Sequence, residues 1–198
     1  MLLGFYIVKS IKMKEKTRRG AGREILVTSA KQLFMQNGTA NVGINDVTAD
    51  AGLAKMTLYN NFSSKDALIA AVYNLVAEEI LGICRHGISQ QDSESGKITS
   101  LFANAIAQKE YQRGCPMNHA LFQSAEPDGE IFHIVQSYKR KLRDVILDCL
   151  SVSRVNRQQL ADQILILLDG FALQHYIKAV DSPLESVKGL IKTILDEK

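Results

Sequence analysis

From about residue 20 to its end, the chain spaces its apolar residues three and four apart, and no segment alternates apolar with polar residues over the length of a strand. That periodicity marks helices with one buried face. The expected fold class is all-α, with about nine helices. They are placed at 22–37, 44–51 and 55–62, then from Ser63-Ser64 towards Gly82, and at 98–112, 116–125, 128–151, 157–180 and 184–196. Asn37-Gly38, Gly52, the polar stretch 89–97 (SQQDSESGK), Gly114, Pro116, Pro127-Asp128-Gly129 and Asp181-Ser182-Pro183 supply the breaks between them.

Hydrophobic residues make up 46% of the 198 and charged residues 23%, which is ordinary for a globular chain. The longest uninterrupted apolar stretches, 1–8 and 164–168, fall short of the ~18–20 residues of a spanning helix, so no membrane is expected as a partner. Cys84, Cys115 and Cys149 are odd in number and widely spaced, which suits neither a disulfide framework nor a zinc site and points to a cytoplasmic setting. Cys115 and His119 stand four apart, but no third ligand accompanies them, and neither metal nor cofactor is expected. Charge is divided unevenly. Residues 1–65 hold ten Lys/Arg against four Asp/Glu, a net of +6, whereas residues 66–198 hold 14 against 17, a net of −3. The basic end is suited to a polyanion.

Residues 44–62, INDVTADAGLAKMTLYNNF, carry the most information. Ile44, Val47 and Ala51 form the apolar face of a short helix, a glycine turn follows, and a second short helix offers Leu58 and Phe62. Two short helices joined by a tight glycine turn make a helix–turn–helix pattern. At about 100° per residue Leu58 and Phe62 point together into a core. The other face then presents Met56, Thr57, Tyr59 and Asn60, groups able to meet phosphate oxygens, thymine methyls and base edges.

Residues 23–68 resemble the DNA-binding domain of the TetR (tetracycline repressor) family of bacterial transcription regulators. The resemblance is carried by Arg23-Glu24-Ile25-Leu26, Leu33-Phe34, Gly38, Ile44, Ala51-Gly52, Thr57-Leu58-Tyr59, Phe62-Ser63-Ser64-Lys65 and Leu68. It implies an N-terminal three-helix DNA-binding domain over 20–66, followed by a helical effector-binding and dimerisation domain over 67–198; the apolar-then-basic residues 1–19 read separately as a mobile extension. It implies that Lys55, Met56, Thr57, Tyr59 and Asn60 face DNA from the recognition helix, with Thr57 and Tyr59 chiefly on phosphates, and that Lys65 meets a phosphate from the next helix. The chain departs from the family where Val42-Gly43 and Ala54 stand in place of capping Ser or Thr.

The resemblance also implies a homodimer on a palindromic operator, most often acting as a repressor released by a small molecule. Residues 158–180 are apolar on nearly every side and 184–195 form a stripe at three-four spacing, so the two together suit half of an intermolecular four-helix bundle. Leu168, Phe171, Leu184, Val187, Leu190, Ile191 and Ile194 are the expected dimer contacts. Phe102, Tyr111, Cys115, His119, Phe122, Tyr138 and His175 are the expected lining of an effector cavity. Arg113-Gly114-Cys115-Pro116-Met117-Asn118 resembles a motif of one branch of the family. A helix starting at Pro116 would stabilise a Cys115 thiolate and make it a sensor of electrophiles. The competing expectation for Cys115 is a small buried apolar residue. The cluster Lys139-Arg140-Lys141 and Arg143 reads as a solvated helix face without a DNA role. Two other functions compete: a helix–turn–helix regulator with no effector, and a helical enzyme. The second has no phosphate loop, nucleophile elbow or metal-binding helix motif to rest on.

Overall fold

The computed structural model describes residues 18–108, 114–124 and 126–196. Among them are nine helices and no strand: α1 (Arg18–Asn37), α2 (Ile44–Asp50), α3 (Lys55–Tyr59), α4 (Lys65–Ser89), α5 (Glu94–Ala107), α6 (Pro116–Gln123), α7 (Glu130–Cys149), α8 (Arg157–Ile177) and α9 (Pro183–Asp196). The expected extension 1–19 lies outside the described residues except for its last two, which open α1.

α1, α2 and α3 pack on one another around Leu26, Ala30, Phe34, Val42, Val47, Leu58 and Phe62, all buried. Gly38 turns the chain out of α1 at a φ of +80°, a region open to glycine at little cost. Ser29 Oγ donates to Asp50 Oδ2 (2.5 Å) and Val47 O (3.3 Å), tying α1 to α2. Gly43, the residue before α2, has no side chain to offer; instead its N–H donates to the Asp46 carboxylate at 2.7 Å.

α4 joins this unit to the rest. Its N-terminus is capped by Ser64 Oγ, which accepts from Ala67 N–H at 3.1 Å. The helix packs against α1, α5, α6 and α7. By length and composition α4 alone among the described helices is apolar enough to cross a membrane. Its apolar residues have a different use, since Leu68, Val72, Val76, Leu81 and Cys84 are buried in the core.

α4 runs seven residues past Gly82, and α5 begins at Glu94, so the expected loop over 89–97 shrinks to residues 90–93. Ser93 causes this by capping α5, its Oγ accepting from Gly96 N–H at 3.0 Å. α8 stops three residues short of expectation because Lys178 takes a left-handed conformation (φ 54°). α5 packs on α8 and α9, and α7 on α4, α6 and α8.

Candidate functional site

α3 is held from beneath. Leu58 is fully buried, Phe62 nearly so, and the Arg23 guanidinium sits 4.9 Å from the centre of the Phe62 ring. Regular helix ends at Tyr59, three residues earlier than expected. The turn nonetheless continues: Asn60 N–H donates to Met56 O, Phe62 N–H donates to Leu58 O at 2.8 Å, and Asn61 Nδ2 donates to Thr57 O at 2.7 Å. Ala54, preceding α3, provides no side-chain cap.

The face opposite Leu58 is open. Met56 is 68% exposed and Tyr59 55%, and Lys55 and Asn60 are exposed beside them. Thr57 and Lys65 are half-buried. A Cβ at Gly22 would lie 3.4 Å from the Thr57 methyl, so α1 closely backs the start of α3. Of the six residues expected at DNA, Lys55, Met56, Thr57 and Tyr59 lie on α3, Asn60 directly follows it, and Lys65 opens α4.

Three of the four clustered cations of α7 are engaged elsewhere. Lys141 pairs with Glu78 of α4 at 2.5 Å, and Arg143 pairs with Asp162 of α8 at 2.5 Å and donates to Gln158 Oε1. Lys139 differs from its expected solvated position, because it is mostly buried and paired with Asp169.

That Lys139–Asp169 pair belongs to a cavity of about 70 Å³ between α4, α5, α6, α7 and α8. Ile80, Ile83, Leu101, Leu142, Leu168 and Ala172 make most of its wall, with Cys84, Asn104, Gln108, Cys115, Tyr138, Lys139 and Asp169 as its polar points. Asn118 Nδ2 also donates to Asp169, at 3.2 Å. Of the residues expected to line a cavity, Cys115 and Tyr138 do so. Phe102 is fully buried behind the wall, edge-on to Phe171 with centroids 5.2 Å apart, and His175 stacks on the same ring. His119 is half-buried on α6, outside the lining. Phe122 is a correction: it is 83% exposed, because the inner face of α6 is already taken by Met117 and Ala120. Tyr111 lies outside the described residues.

Cys84, Lys139 and Asp169 were missed. Lys139 sits three residues before Leu142 on the apolar face of α7, a spacing that could have drawn it inwards on paper. Cys115 stands immediately before α6, near the N–H groups of Met117 and Asn118 and the Lys139 charge. Burial nonetheless outweighs them and pushes its thiol up. A half-buried thiol kept protonated by desolvation agrees better with the apolar-residue expectation than with a stabilised thiolate.

The expected dimer contacts divide. Leu168, Phe171 and Ile191 are buried within this chain, which corrects their assignment to an outer face. Leu184, Val187 and Ile194 are partly buried against the same core, and Leu190 is exposed. The open apolar residues of α8 are instead Ile166 (71% exposed), Leu173, Tyr176 and Ile177.

Residues 26–72 match the family model described as bacterial regulatory proteins, tetR family. Those residues carry a TetR-type DNA-binding segment. The matched segment contains α2, α3 and the first residues of α4. The transcriptional regulator BetI of Brucella canis is 23% identical over 164 residues, covering 81% of this chain and 82% of BetI. Among solved structures, a TetR-family regulator from Streptomyces coelicolor has a TM-score of 0.76 at 22% identity, covering 88% of this chain and 96% of that one. One from Cytophaga hutchinsonii has a TM-score of 0.78 at 15% identity, covering 91% and 98%. These likenesses extend the TetR fold through the C-terminal helices, and the chain is a helix–turn–helix, DNA-binding transcriptional regulator.

Proposed function

We propose that the protein is a ligand-responsive repressor that binds a palindromic operator as a homodimer in the cytoplasm. The carrying observation is the clamped α3: Leu58 and Phe62 anchor it while Lys55, Met56, Tyr59 and Asn60 stand in the open. Residues 20–66 form the DNA-binding unit and residues 67–198 the effector-binding and dimerisation unit. Lys55, Met56 and Asn60 reach bases, while Thr57, Tyr59 and Lys65 hold phosphates. The ion-paired cations of α7 support leaving that helix out of the interface.

The cavity is suited to a small, mostly apolar effector. Among the described residues its charged lining is Lys139 and Asp169, which pair with each other, and desolvation keeps the Cys84 and Cys115 thiols protonated, which favours reversible over covalent binding. Such a ligand releases DNA only if it binds one arrangement of the two recognition helices better than another.

Duplexes selected by the protein from a randomised pool provide the test. Thr57→Ala and Tyr59→Phe should weaken selected and scrambled duplexes alike, whereas Asn60→Ala should relax discrimination at one base pair per half-site, by about 1–3 kcal/mol. Equal losses on both duplexes for Asn60→Ala would remove its base contact. An effector is sought by thermal shift against a metabolite panel, since binding to the native state raises stability by RT ln(1 + [L]/Kd).

A further inference from the structure

We infer that Gln123 is a positioning residue, which clasps the turn between α1 and α2 and sets the angle at which the DNA-binding unit leaves the helical body. The inference rests on the reading of the chain as a dimer on a palindrome.

α6 is committed at both ends. At its start, Cys115 and Pro116 form part of the cavity wall. At its end, Gln123 Oε1 accepts from Thr39 N–H at 3.2 Å and from Thr39 Oγ1 at 2.9 Å. The two residues are 84 positions apart in sequence. Thr39 is buried, and a Cβ on neighbouring Gly38 would lie 3.7 Å from Gln123 Nε2, so the amide also lies along the backbone of the turn.

The DNA-binding unit has another attachment in the packing of α1 on α4, which includes the Lys31–Glu79 ion pair at 2.6 Å. One line of contact along a helix leaves rotation about that line. The short passage from α3 into α4 limits this freedom at one end of the unit, and Gln123 limits it at the other, at the turn leading into α2. The residues at the other end of the same eight-residue helix wall the cavity. Displacing α6 from the cavity therefore displaces Thr39, and with it the orientation of α2 and α3.

Orientation, unlike affinity for one half-site, is read by half-site spacing. One inserted base pair turns one half-site by about 34° relative to the other, at about 10.5 base pairs per turn. The experiment uses the full chain and a duplex it selects from a randomised pool, with zero, one or two base pairs inserted at the dyad. Wild type should prefer one spacing by about tenfold or more, equivalent to 1.4 kcal/mol. Gln123→Met, equal in length but without an acceptor, should flatten that preference to within about threefold while leaving affinity for an isolated half-site unchanged. Gln123→Glu should restore the preference, because a carboxylate accepts both Thr39 bonds. Amide exchange at Thr39 gives a second readout: protected in wild type and Gln123→Glu, faster in Gln123→Met. A Gln123→Met protein that keeps the wild-type spacing preference, or keeps Thr39 protected, overturns the inference. A wild type without any spacing preference overturns the palindromic dimer itself.

Discussion

Cys84 lies on the cavity wall with its thiol pushed up to about 11 by burial, against the opposing pull of Arg85, and burial pushes Cys149 at the end of α7 to about 12. Tyr73, buried on α4, is raised to about 12 for the same reason. A native thiol with a raised value keeps its proton where the unfolded chain has already lost it. The stabilisation is complete below about pH 9, where both states are protonated, and is lost as pH rises towards the native values. Urea midpoints should therefore fall between pH 8.5 and about 11, and Cys84→Ala should make that fall shallower. An unchanged slope would mean that the Cys84 thiol titrates as if in water. At this scale the sequence revealed some residues and hid others for a physical reason. Leu58 and Phe62 were legible because both fall on one face of one short helix. The protonation of Cys115 was hidden, since it depends on desolvation by helices distant in sequence.

Helix boundaries are set by caps, and in this chain the caps explain both the accurate and the misplaced limits. Ser64 accepts from Ala67 N–H and stands immediately before α4, where the sequence places a cap. Ser64→Ala should cost about 1 kcal/mol, which for a chain of this size lowers the melting temperature by roughly 2–4 °C. No change in melting temperature would show that water replaces the hydroxyl fully. Ser93 performs the same function for α5 but is surrounded by Gln, Asp, Ser and Gly, so composition suggested a loop where one short turn suffices. The missing cap at Val42-Gly43 is compensated from inside α2 by Asp46, whose carboxylate accepts from Gly43 N–H, a contact visible only once the turn is closed. Gly82, expected near the end of α4, has open space around it and lies within the helix, because neighbouring Leu81 and Cys84 are buried and their packing outweighs the cost of a helical glycine.

The surface left by folding one chain determines what a second copy can cover. Ile166, Gly170, Leu173 and Ile177 recur at intervals of four, three and four along α8 and share one face, with Tyr176 beside them. Helical periodicity identifies α8 as needing partners on more than one side but does not say which side faces its own chain, and Leu168 and Phe171, expected at the dimer contact, both pack inwards. The outward stripe is continuous and apolar, and such a patch is unfavourable in water. Gly170 has nothing within 4 Å of where a Cβ would stand, leaving room for a second backbone to approach. In a two-fold dimer this stripe would meet its own copy, with Leu190 of α9 on the flank. Leu173 is 52% exposed in the single chain, so Leu173→Asp should leave the chain's own core intact while placing a charge, and its symmetry mate, in the contact. Sedimentation at micromolar concentration should then give one chain mass for Leu173→Asp and two for wild type. Binding of the variant to a selected palindrome should fall to that of a single half-site. If Leu173→Asp sediments as a dimer, the second copy contacts another face, and the exposed stripe on α8 has a different role.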